Sequence, residues 1–62
     1  MRVIVYFKEG LARRYGFPKF QRTLTGEVVS EDSKVISIVP MRCTKNRIRN
    51  IQKEDTVEIE RF

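Results

Sequence analysis

Five cations fall within twelve residues of this 62-residue chain, Arg42, Lys45, Arg47, Arg49 and Lys53, with no acid among them. Lysine and arginine at that density are the side chains that neutralise nucleic-acid phosphates and release their counterions. A second group, Arg13, Arg14, Lys19 and Arg22, is interleaved with Tyr15, Phe17 and Phe20. Exposed aromatics beside cations are the materials of a platform on which the bases of a single strand stack. The nine cations are therefore the candidate contacts to DNA or RNA, and Tyr15 and Phe17 the candidate stacking residues. The competing reading puts the aromatics in the core, since a chain this short needs them for packing, and leaves the cations as solubilising charge.

Other chemistries find less support. The chain has no histidine, so no side chain has an ordinary pKa suited to general-base work near neutrality. Cys43 stands alone; Arg42 and Lys45 would favour its thiolate, but no cysteine–histidine pair can form. One cysteine and no histidine also rule out the common structural zinc patterns and any intrachain disulfide. Glu31-Asp32 and Glu54-Asp55 could ligate a hard cation, but they sit in turn-like segments where solvated acids are the ordinary case. Gly10, Gly16 and Gly26 are isolated and form no phosphate-cradling loop. The expectation is a non-enzymatic protein with no metal and no cofactor.

The net charge of +5 is unevenly spread. Residues 1–26 balance to +5, 27–41 to −2, 42–53 to +5 and 54–62 to −3. Such alternation produces either a two-sided molecule or charges that neutralise one another across neighbouring strands. Residues 1–62 are expected to form one small domain, burying only about 60% of the surface that the unfolded chain exposes. No stretch reaches the ~20 apolar residues of a membrane helix. The opening residues do not read as a secretory signal, so the expected address is cytoplasmic.

The candidate residues must be held by short strands. Residues 2–8 read as a strand that is apolar on both faces and therefore central or doubly covered. Glu9-Gly10 is read as a hairpin turn, with Leu11–Tyr15 as the returning strand and a short helical turn as the alternative. Gly16-Phe17-Pro18 breaks it. Phe20–Val29 and Lys34–Val39 read as strands, with Gly26 marking a bulge or bend and Pro40 closing the second. Ile48 and Ile51 lie one helical turn apart, yet Asn46–Arg49 could equally be an edge strand followed by a single turn over Asn50–Asp55. Thr56–Phe62 is the last strand. The expected core is Val3, Val5, Phe7, Leu24, Val28, Ile36, Ile38, Ile48, Val57 and Ile59. The fold class expected is mainly β, a small SH3-like barrel of four to six short strands, with a β-grasp α+β fold as the alternative.

Two resemblances accompany this reading. Met1–Phe7, Ile38-Val39-Pro40 and Asp55–Phe62 are similar to segments of ubiquitin-like sulfur carriers. That likeness implies the β-grasp fold but not the activity, because the Gly-Gly tail on which those carriers act is not present at Phe62. Val3–Gly10, with the spaced Ile48 and Ile51 and the acidic strand Val57-Glu58-Ile59-Glu60, resembles short basic β-proteins of phages and mobile elements. That resemblance transfers no functional residue. The expected function is a small basic accessory protein binding nucleic acid. The rival expectation is a protein-interaction module, inhibitor or adaptor that pairs with a partner through the edge strand.

Overall fold

A computed structural model describes residues 1–41 and 47–62. Five strands, β1 (Arg2–Phe7), β2 (Thr23–Glu31), β3 (Val35–Pro40), β4 (Arg49–Gln52) and β5 (Thr56–Arg61), form one open antiparallel sheet in the order β4-β3-β2-β1-β5. The fold is therefore mainly β rather than α+β. Among the described residues the only helices are two 3-10 turns, Leu11–Tyr15 and Lys53–Asp55.

β1 is central, paired with β2 on one side and β5 on the other. Val3, Val5 and Phe7 are buried in the core, while Ile4 and Tyr6 are half-covered on the opposite face. β3 alternates as expected, with Ile36 and Ile38 inward. The core is completed by Leu24, Ala12 and Ile51, and Val28 and Ile59 pack against its margin.

Five expectations need correction. Leu11–Tyr15 is a 3-10 helix, not a returning strand, and Glu9-Gly10 is not a hairpin turn. Gly10 and Gly16 bracket the helix with φ of 79° and 86°, in the left-handed region that glycine enters without a Cβ penalty. This geometry turns Ala12 into the core. Gly26 is not the bulge. A Cβ at Gly26 would collide with the Ile38 side chain and lie 2.5 Å from the Val39 carbonyl, so glycine there permits close approach of β2 to β3. The register shift falls between Val28 and Ser30, leaving Val29 exposed.

Ile48 and Val57 are not core residues. Ile48 is 55% exposed because β4 begins after it, and Ile51, paired with Ile36, supplies the inward side chain. Val57 is 68% exposed because β5 bulges there: Phe7 pairs with Thr56 and Tyr6 with Glu58, so Val57 is the extra residue and the alternation resets.

The sheet curls enough for both of its edges to reach one carboxylate. Glu31, at the end of β2, binds Lys53 just beyond β4 at 2.7 Å and Arg61 near the end of β5 at 2.6 Å. Paired residues share a face, and Glu31 pairs with inward Ile36 while Arg61 pairs with inward Val3. The ion cluster thus lies on the core side of the sheet.

Candidate nucleic-acid interface

The two basic segments of the sequence meet where the first 3-10 helix lies against β4. Phe7, closing β1, provides the base of the contact. The Tyr15 ring stacks on it with centroids 5.8 Å apart, and Phe17 tilts against it at 6.2 Å. The Arg49 guanidinium lies over the Phe17 ring, 5.2 Å from its centroid. A cation at that distance from a ring face gains from the ring quadrupole and keeps its charge. Arg49 Nε has no hydrogen-bond acceptor among the described residues.

Asp55 fixes this seam from beneath. Its carboxylate is 4% exposed and accepts hydrogen bonds from Tyr15 Oη at 2.5 Å and Arg14 Nη1 at 3.2 Å. Its backbone carbonyl accepts from Lys8 N–H at 2.9 Å. Tyr15 Oη in turn accepts from the Gln52 backbone N–H at 3.0 Å. One phenol thus links the helix, the last residue of β4 and the turn before β5. Burial of the Tyr15 ring, followed by its hydrogen bond to Asp55, raises the phenol's pKa above its ordinary value.

The candidate residues sort by position. Tyr15 and Phe17 are half-buried and pack on Phe7, so their rings are framework first. Arg14 is paired with Asp55, Arg22 lies 4.0 Å from Glu9, and Lys53 is held by Glu31. Arg13, Lys19 and Arg47 are exposed and make no ion pair among the described residues. Arg49 stands at the junction of both groups. Arg42 and Lys45, together with Cys43, lie outside the described residues, as does Asn46 at the start of the expected edge strand. β4 is an edge strand, but its Gln52 N–H is already taken by Tyr15.

The acids read as turn residues divide in the same way. Asp32 behaves as expected: its Oδ1 accepts from the N–H groups of Lys34 at 2.7 Å and Val35 at 2.8 Å, and these bonds hold its carboxyl below its ordinary pKa. Glu31 and Asp55 are instead structural hubs. Hydrogen bonds from Arg61 and then Lys53 lower the Glu31 pKa to about 2. The sequence carries little sign of either role, since each hub forms only when residues 22 to 41 positions apart come together. Phe20, which the sequence leaves open between exposed stacking material and a core aromatic, is 84% exposed.

Among the described residues no three histidine, cysteine, aspartate or glutamate side chains gather as a metal site requires, and no helix is long and apolar enough to cross a membrane. Compared with known proteins, the chain matches no family model, no curated protein and no solved structure.

Proposed function

We propose that this chain is a non-enzymatic accessory protein, an SH3-like small β-domain that binds nucleic acid through the cations of the helix–β4 seam. The observation that carries the binding reading is Arg49 resting on Phe17, which joins the basic residues of the first loop to those entering β4. Arg13, Lys19 and Arg47 are exposed and offer charge that no acid among the described residues neutralises, while Arg14 and Arg22 are exposed cations with an acid partner each. The strand order β4-β3-β2-β1-β5, the 3-10 turn before the last strand and the meeting of both sheet edges on Glu31 support the SH3-like description.

The test is binding of labelled single- and double-stranded DNA and RNA by fluorescence anisotropy at roughly 50 and 200 mM salt. Each phosphate neutralised on a duplex contributes about 0.9 to the slope of log affinity against log salt. The Arg13→Glu, Arg47→Glu double variant removes two exposed cations without touching the core. It should bind at least tenfold more weakly at the lower salt and lower that slope by about 2. A folded double variant that binds like the parent removes the seam from the interface. Absence of binding by the parent at the lower salt refutes the nucleic-acid reading.

A further inference from the structure

Phe20 is the most exposed large apolar side chain among the described residues. Of the four phenylalanines, Phe7 is buried and Phe17 packs on it, Phe62 at the end of the described chain is 66% exposed, and Phe20, within a loop, is 84% exposed. It is not on a frayed segment. The Gln21 N–H donates to the Pro18 carbonyl at 3.0 Å, closing a turn with Lys19 and Phe20 at its two central positions. Gln21 Nε2 then donates to the Thr23 carbonyl at 2.9 Å and braces the turn against the start of β2. Phe20 lines a shallow hollow together with Lys19, Arg22, Glu9 and Gly10, two cations against one acid. The turn therefore holds out an aromatic face with positive charge on its rim.

We infer that Phe20 is a base-stacking residue, and that the nucleic acid bound is single-stranded. This rests on the basic seam being a nucleic-acid interface and extends it by one element. A duplex keeps its base faces stacked on one another, so an exposed ring gains nothing from it except at an end. An unpaired base offers its face to the ring while Lys19 and Arg22 meet the adjoining phosphates. Phe17 and Phe20 are three residues apart, a span of at most ~11 Å between their Cα atoms, so a strand on the Arg49 side of the loop lies within reach of the Phe20 turn.

The experiment uses the full chain and four probes: a short labelled oligothymidine, an oligouridine, a hairpin-free DNA duplex and an RNA duplex. Phe20→Ala alters an exposed side chain and leaves the core intact. It should weaken binding of the single strands about 5- to 150-fold, the range that loss of one stacked base corresponds to, while leaving duplex affinity and the salt slope unchanged. The chain has no tryptophan, so Phe20→Trp adds a lone reporter. It should bind single strands at least as tightly as the parent, with its indole emission quenched on binding. If Phe20→Ala binds single strands like the parent and binding stays salt-sensitive, stacking is refuted and the basic interface stands. If the parent binds none of the probes at the lower salt, both readings fall.

Discussion

Replacing Glu31 with glutamine should be among the most damaging single-atom changes to this fold, and its cost should depend on pH. Glu31 accepts from Arg61 Nη1 and Nη2 at 2.7 and 2.6 Å and from Lys53 Nζ at 2.7 Å, with its side chain 24% exposed. The two cations hold its pKa at about 2, against an ordinary value of 4.5. Each unit of depression corresponds to about 1.4 kcal/mol of folding free energy at neutral pH. The full shift would therefore give about 3.4 kcal/mol, which screening by the nearby solvent reduces to about 1–2 kcal/mol. The folded pKa lies below the unfolded one, so this contribution is complete above pH 4.5 and disappears as pH falls toward 2. Linkage leaves less than half of it at pH 3. Thermal unfolding followed by circular dichroism at pH 7 and pH 3 measures both quantities. Glu31→Gln should lower Tm by roughly 4–16 °C at pH 7, and the gap to the parent should shrink by more than half at pH 3. An equal gap at both pH values would refute the argument, since the loss would then owe nothing to the ionised carboxylate.

Two further predictions concern the core and the seam. Ile51→Ala should cost about 2–5 kcal/mol in urea unfolding, whereas Ile48→Ala should stay within about 0.5 kcal/mol of the parent; reversed values would overturn the described register of β4. Tyr15→Phe removes the hydroxyl that both donates to buried Asp55 and accepts from Gln52, and should cost about 1–3 kcal/mol by the same assay, with no loss implying that water replaces it without penalty.

Much of the sheet was legible in the sequence. β1 and β3 announce themselves by runs of β-branched residues, and β5 by Val57 and Ile59 alternating with glutamates. The misreadings share a cause. Leu11–Tyr15 suits strand or helix by composition, and what decides it is a pair of positive-φ glycines and the core pocket that takes Ala12. Ile48 and Ile51 have helical spacing, but in a strand residues three apart face opposite sides, so only one could be inward. The bulge at Val57 turns on its partner across the sheet, which no local pattern reveals. The candidate cations were visible as a list. Their division into paired Lys53 and Arg14 and exposed Arg13, Lys19 and Arg47 came only from which acids the fold brought near.

The central position of β1 also bears on the order in which the sheet can assemble. β2 and β3 are joined by three residues, so their pairing closes a short loop, whereas β1 finds β5 only across the 48 residues from Lys8 to Asp55. Loop-closure entropy grows by about 0.6 kcal/mol per doubling, which puts the second pairing some 2.5 kcal/mol behind the first. The β2–β3 hairpin can therefore form early, while β1 keeps one edge unpaired until β5 arrives. For so short a chain that arrangement places folding among the slower, non-local topologies. During that interval the apolar edge of β1 is the part of the molecule most exposed to a wrong partner.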